Sequence, residues 1–299
     1  WSMGPFEVWD AIGVEATVHR MKSENRDVPS WVLKFIDKGH STFYSVVEDV
    51  RSYWDVSSES YAPVPTSKKE ITFLDYQNSN VIENHWSASI VDLGDGVVGV
   101  NFHSVLQAEL NPIDGSVLQT LYKAQKWVSD NNYKGLVISA DSTNFCAGAN
   151  LNMILNSAYR KDWDELDRTV STMQGILQSL RYAPFPVVAA PSGLVLGGGF
   201  ETIGACDRIV AAGESYIGLV EVGVGLIPGA GGNLRMISNL SKKIKSAMPG
   251  AFPIIQKAFE TIGFAKVATS AKQAQAIGYL RKDDKIIVNR DHILSVAKN

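Results

Sequence analysis

Between Ile113 and Ala212 the chain alternates between stretches of helical period and short apolar runs, and this alternation constrains the fold more than any other feature. Ile113, Val117, Leu121, Ala124 and Val128 step by three and four along one helical face, and the compact apolar run Leu136–Ala140 follows. A second cycle gives a helix from about Trp163 to Arg181, a strand from Val187 to Ala190, a helix from Gly198 and a strand from Arg208 to Ala212. Strand, helix and strand in repetition imply parallel strands joined by right-handed crossovers, because each helix returns the chain to the same end of the sheet. Ahead of these cycles, SASIVDLGDGVVGVNF (Ser87–Phe102) places two β-rich runs around Gly-Asp-Gly and predicts a hairpin. Beyond Ala212 the final segment reads as mostly helical, with Ile255, Phe259, Ile262 and Ala265 on one face and Ser270 capping the helix AKQAQAIG.

The N-terminal part has a different pattern. From Gly4 to about Tyr53 apolar residues fall at helical spacing, as in Val14, Val18 and Met21 and then Trp31, Phe35 and Ile36, with breaks at Asp27–Ser30 and Lys38-Gly39. DVSSESYAPVPTSKKE (55–70) is polar, has two prolines and shows no period, so it reads as a linker. The expected organisation is a helical unit over 1–54, a linker over 55–84 and an α/β domain over 85–299. The chain opens at Trp1, inside an amphipathic pattern, and the expectation is a piece of a longer polypeptide.

Composition narrows the functions available. With a net charge of −3 and Lys and Arg scattered along the sequence, no stretch supplies the clustered basic face that nucleic acid or an anionic membrane requires, so neither is expected as a partner. No apolar run is long enough to span a bilayer and WSMGPFEVWD lacks the regions of a signal peptide, so a cytoplasmic location is expected. Cys146 and Cys206 are too few for a disulfide framework and have no metal-ligand spacing with the five histidines, so both are expected as reduced thiols with no metal. Gly94, Gly96 and Gly99 spell G-x-G-x-x-G, but Val97, Val98 and Val100 continue a β-rich run where that fingerprint needs a helix, so these glycines are assigned to the hairpin.

The chemistry lies in LVLGGGFETIGACD (Leu194–Asp207). Glycine is a poor helix former and a buried glutamate is costly, so three glycines followed by Glu201 in an apolar helix serve something other than local stability. Glycines at a helix N-terminus let a ligand oxygen approach unpaired N–H groups, and Glu201 lies one turn further on nearly the same face as Gly198. NFCAGANL (Asn144–Leu151) ends a strand in small residues that expose the N–H of Ala149 as a second donor, with Asn150 placed to cap the next helix. GLVEVGVGLIPGAGGNLR (Gly218–Arg235) places a second carboxylate, Glu221, alone among apolar residues and glycines.

Together these stretches resemble the crotonase family, the enoyl-CoA hydratase/isomerase superfamily, from about Ser87 to the C-terminus: CAGANL and GGGFETIGACD resemble its two oxyanion-hole segments, and LVEVGVGLIPGAGGNLR its second glutamate segment. The resemblance implies an α/β spiral of β-β-α units with a helical C-terminal region, preceded here by a small helical N-terminal segment. It implies that the N–H groups of Ala149 and Gly198 bind a thioester oxygen and that Glu201 and Glu221 hold and activate one water. It further implies that Ala147 and Gly148 contact the coenzyme A portion of the substrate, that Gly229–Gly232 shape the adjacent turn, and that the chain forms a homotrimer or hexamer. No cofactor is expected beyond the coenzyme A of the acyl-CoA thioester itself. The implied activity is hydration of 2-enoyl-CoA, with Glu201 activating water and Glu221 delivering the Cα proton. A double-bond isomerase, an idle acyl-CoA-binding module and a Cys146 nucleophile are the alternatives. Three positions depart from the family pattern: Ser104-Val105-Leu106-Gln107-Ala108 has no basic residue where many members carry one, Asn150 stands where Asp is common, and Val220 replaces a frequent proline. GPFEVWDAIGV and VPSWVLKFIDKG resemble the end of the C-terminal helical domain of 3-hydroxyacyl-CoA dehydrogenases, as fused to hydratases in bifunctional fatty-acid oxidation proteins. No Rossmann fingerprint precedes it, so no NAD chemistry is expected of this chain.

Overall fold

In the computed structural model, residues 3–47, 50–65, 70–76, 80–243 and 250–299 are described. The chain divides into two compact units, Trp1–Ser67 and Lys68–Asn299.

The first unit begins with helices α1 (Pro5–Ile12), α2 (Val14–Ser23) and α3 (Ser30–Asp37), broken where the sequence breaks its period. It then departs from the expected all-helical unit: β1 (Tyr44–Val47), β2 (Val50–Asp55) and β3 (Ser60–Pro63) form an antiparallel meander. Aromatic and β-branched side chains at Tyr44, Val46, Val47, Val50, Tyr53 and Trp54 suit a pleated surface, and Ser52 and Trp54 alternate inward from β2. Val14, Val18, Val32, Phe35, Phe43 and Trp54 make the core, where Phe35 stacks on Phe43 at 4.9 Å and meets the edge of Trp54 at 5.1 Å. The Asp10 carboxylate accepts the N–H groups of Phe43 (2.7 Å) and Tyr44 (2.9 Å), tying α1 to the start of the sheet.

The second unit carries the alternating cycles. Strands β4 (Val81–Asn84), β5 (Ala88–Asp92) and β6 (Val97–Phe102) pair antiparallel, and Gly94, Asp95 and Gly96 turn between β5 and β6 with φ of 78°, 58° and 79°. Helix α4 (Gly115–Asp130) crosses to β7 (Gly135–Ser139), and α5 (Leu151–Tyr159) and α6 (Trp163–Arg181) lead to β8 (Val187–Ala190). Then come β9 (Leu194–Leu196), α7 (Gly198–Ala205), β10 (Arg208–Ala212) and β11 (Tyr216–Gly218). The C-terminal region holds α8 (Gly232–Lys243), α9 (Phe252–Gly263), β12 (Val267–Ala268), α10 (Ala271–Ile277), β13 (Lys285–Ile287) and α11 (Ile293–Lys298). Among the described residues the large sheet runs β13-β10-β8-β7-β6-β5-β4, parallel from β13 to β6, and a smaller sheet runs β12-β11-β9.

Strand β7 is buried along its whole length, as befits a central parallel strand covered on both faces. Leu136 and Ile138 point into the larger core with Leu121, Ala124 and Leu180, whereas Val137 faces Phe73, Val210, Ile293 and Leu294 on the opposite side. Phe73 sits in a 3₁₀ turn (Phe73–Tyr76) and is completely buried. The stretch 55–84 is therefore not a spacer: β3 closes the first unit's sheet, and Phe73 and β4 belong to the second unit. Residues 66–69 and 77–79 lie outside the described residues.

Helix α9 has the expected period at a different phase. Ala258 and Thr261 are its buried residues, and Ile255 and Phe259 are 51% and 71% exposed. Ala258 and Thr261 face inward with the half-buried Ile262 packed against the core, so of the expected stripe Ile255 and Phe259 turn outward. Ser270 caps α10 as its position suggested, accepting the Gln273 N–H at 3.1 Å.

Asp114 caps α4, accepting the Val117 N–H at 2.9 Å and the hydroxyl of the buried Ser87. We predict that Asp114→Ala lowers stability by about 1–2 kcal/mol. Thermal unfolding should show a Tm roughly 2–6 °C lower, and an unchanged Tm would mean that the cap contributes nothing.

Candidate active site

Each glycine at the start of α7 is required by a different neighbour. Gly197 has φ of +52°, and a Cβ there would stand 3.2 Å from Glu221 Oε1. A Cβ at Gly198 would stand 3.0 Å from Met173 Cε and 3.6 Å from the Ala149 nitrogen. At Gly199 it would stand 2.6 Å from the Cys146 carbonyl oxygen, closer than any side chain tolerates. The glycine run thus lets α7 begin in contact with the 144–150 loop and with Glu221.

That loop is laced in from both sides. The Ile113 N–H donates to the Gly148 carbonyl (2.8 Å) and the Asn150 N–H to the Ile113 carbonyl (3.0 Å), while Cys146 pairs with the edge of β9 through its N–H and its carbonyl. The Ala147 N–H is spent on the Leu110 carbonyl (2.7 Å) and the Gly148 N–H on Cys146 Sγ (3.3 Å), so neither has its N–H free for a ligand. The N–H groups of Ala149 and Gly198 have no acceptor among the described residues. Asn150 caps α5, its Oδ1 accepting from Asn152 (3.1 Å) and Met153 (3.4 Å).

Two carboxylates close the site. Glu201, 4% exposed within α7, accepts the Ala230 N–H at 2.7 Å and the Gly232 N–H at 2.8 Å on a single oxygen, Oε1. Glu221 opens a 3₁₀ turn (Glu221–Val224), and among the described residues neither of its carboxylate oxygens has a hydrogen-bond partner. Glu221 senses the charge of Glu201, so the two form one electrostatic unit. Sequence reasoning reached Ala149, Gly198, Glu201 and Glu221, and the fold gathers all four. It missed the amide grip of Ala230 and Gly232 on Glu201, whose only trace in sequence is the glycine-rich GAGG, and it missed Met173 and Ile113 packing against Gly198.

Residues 95–249, just over half of the chain, match the enoyl-CoA hydratase/isomerase family. The chain belongs to that family. It is 40% identical over all 299 residues to a probable 3-hydroxyacyl-CoA dehydrogenase of Bacillus subtilis, and it spans 36% of that protein. It is 27% identical over 236 residues to a putative fatty acid oxidation complex trifunctional enzyme of Rickettsia felis, covering 79% of this chain and 29% of that protein. The crystal structure of an enoyl-CoA hydratase from Bacillus anthracis superposes with a TM-score of 0.56 at 24% identity, over 70% of this chain and 72% of that one, and shows the shared crotonase fold. The first unit lies outside residues 95–249 but within the segment similar to the Bacillus subtilis protein.

Within this family member the cysteines are structural. Burial pushes the thiols of Cys146 and Cys206 up to about 12, which leaves no thiolate for a nucleophile near neutrality. Among the described residues no cluster of His, Cys, Asp or Glu could hold a metal ion, and no helix is long and apolar enough to cross a membrane. Near Ser104, where the family resemblance would place a basic residue, Val105 and Leu106 project into solvent instead.

The glutamates differ in environment. Burial raises the Glu201 carboxyl, and the two amide bonds counter it by favouring the ionised form. Burial lifts Glu221 from 4.5 to about 7; the N–H groups of Glu221 and Val220 soften the rise without closing hydrogen bonds, and the charge of Glu201 adds to it. The folded state therefore holds the Glu221 proton more tightly than the unfolded chain does. Its contribution to stability is complete below pH 4.5 and is lost as pH rises to about 7. We predict that Glu221→Gln matches the parent in stability near pH 4.5 and exceeds it at pH 8, by up to about 2 kcal/mol after allowance for solvent screening, read as a higher Tm. Equal Tm values at pH 8 would show that Glu221 carries no burial cost.

Proposed function

We propose that this chain adds water to 2-enoyl-CoA thioesters to give 3-hydroxyacyl-CoA, the hydration step of fatty-acid β-oxidation. The observation that carries this reading is the pairing of an amide-anchored Glu201 with an unpartnered Glu221 whose carboxyl is raised to about 7, beside two acceptor-free N–H groups. The thioester oxygen binds the N–H groups of Ala149 and Gly198, each worth roughly 3 kcal/mol as negative charge develops there. Glu201 takes a proton from water as its oxygen bonds to Cβ. The π electrons move toward Cα and the thioester oxygen, and Glu221 gives its proton to Cα. A proton then passes from Glu201 to Glu221 to restore the starting state. Hydration needs two carboxyl groups in opposite protonation states, and environments in which burial raises both carboxyls but two amide bonds hold Glu201 back, while Glu221 rises to about 7, suit that need.

Whole-length similarity to a protein named as a probable 3-hydroxyacyl-CoA dehydrogenase supports a bifunctional setting, in which the hydration product is the substrate of the following oxidation. A double-bond isomerase would need only one carboxylate to carry a proton between carbons.

The test is loss of enoyl-thioester absorbance with crotonyl-CoA. We expect Glu201→Gln and Glu221→Gln each to lower kcat at least about 100-fold, with the double variant little worse than the worse single one. The rate should fall as pH rises through about 7, where Glu221 loses the proton it donates. Near-normal isomerisation of 3-enoyl-CoA by Glu201→Gln with loss in Glu221→Gln would replace hydration by isomerisation. Acyl-CoA binding with no turnover by the parent protein would reduce the chain to a binding module.

A further inference from the structure

Behind α7, on the side away from the glycine run, four cations that the sequence scatters over a hundred residues meet around one cleft. Arg181 ends α6, Arg235 and Lys242 lie on α8, and Arg281 follows α10, and all four line one small cleft that is open in part to solvent. The charges are not balanced locally. Arg281 is committed to Asp284, with Nη2 at 2.9 Å from Oδ1, and Asp284 also accepts the N–H groups of Ile209 and Arg281. Arg181 reaches Asp207 only at 4.0 Å, while Asp207 accepts the Val187 N–H at 3.0 Å. The Arg235 guanidinium has no hydrogen bond or ion pair among the described residues, although the stem packs against Gly204, where a Cβ would stand 3.2 Å from Arg235 Cγ.

Half-buried guanidinium groups facing one another without a shared carboxylate are costly unless an anion joins them. Burial, and then the facing Arg181 and Arg281, pull the Arg235 guanidinium below its usual range. Four cations face two carboxylates that already hold other partners, which leaves an excess suited to a doubly charged oxyanion. Guanidinium forks match the tetrahedral oxygens of such an ion. Ile209 and Tyr279 are the only large apolar or aromatic residues among the described residues lining the cleft, so it suits the charged group and not an acyl chain.

We propose that Arg181, Arg235, Lys242 and Arg281 form a binding site for a phosphate-type oxyanion, free or carried on a nucleotide, separate from Glu201 and Glu221. The occupant bridges the end of α6, α7 and α8. Arg235 lies one turn beyond Gly232, whose N–H holds Glu201, so the bound ion braces the helix that supplies half of that grip.

Thermal unfolding of the whole chain in inorganic phosphate, against sodium chloride of equal ionic strength, tests the site. Phosphate at ten times its dissociation constant should raise Tm by roughly 3 °C over the chloride control. Arg235→Gln should abolish the rise, and Arg181→Gln and the exposed Lys242→Gln should reduce it, so the test stands even if Arg235→Gln does not fold. Adenosine 3′,5′-bisphosphate in a parallel series identifies the source: a rise larger than that in phosphate and equally lost in the variants assigns a nucleotide-borne group, and no rise beyond that of adenosine assigns the free ion. A phosphate effect matched by chloride, or one that persists in all three variants, overturns the proposal.

Discussion

Two amide hydrogen bonds to one buried carboxylate oxygen organise the candidate site. Without the N–H groups of Ala230 and Gly232, Glu201 would be an uncompensated charge inside α7, and a carboxylate so placed would take up a proton or unfold its surroundings. With them the rise that burial imposes on its carboxyl is opposed by two donors to the ionised form. The bonds also fix the 228–232 turn to α7, since a Cβ at Gly232 would stand 3.1 Å from Glu201 Oε1 and 2.7 Å from Leu219 Cδ2. The close fit at Gly232 and the charge at Glu201 are one constraint.

Glu221 is the counterpart. It is brought within reach of Gly197 by the short β11 strand, which pairs parallel to β9 and delivers the chain to the 3₁₀ turn beside the start of α7. The Gly197 N–H donates to the Gly218 carbonyl at 2.8 Å, so the small sheet holds the glycine run and the second glutamate together. One carboxyl has two donors and the other has none among the described residues, and this asymmetry separates their protonation states more surely than distance alone would.

Much of this was legible in sequence, for identifiable reasons. α6, β8 and β10 follow periods that tertiary packing leaves intact, and Glu201 and Glu221 stand out because a lone carboxylate in apolar sequence has few structural uses. The β1–β3 meander was hidden because Trp31, Phe35 and Ile36 set a helical period that Tyr44–Trp54 can be read as continuing, while the same residues suit a strand. The outward phase of α9 depends on which side α8 occupies, which its own sequence does not record. Backbone donors such as Ala230 N–H carry no side-chain signature. The basic cleft escaped notice because Arg181, Arg235, Lys242 and Arg281 are brought together only by the packing of α6, α8 and the chain beyond α10.

The central claim is that an amide grip leaves Glu201 the more acidic of the two carboxyls while burial lifts Glu221 to about 7. Carbon-13 NMR of protein labelled at glutamate Cδ, with resonances assigned through Glu201→Gln and Glu221→Gln, measures both protonation states directly. The account predicts that the Glu221 carboxyl titrates near 7 and that Glu201 is already ionised when it does. A Glu221 resonance that titrates with exposed glutamates near pH 4.3, or a Glu201 that is the last to ionise, would contradict it.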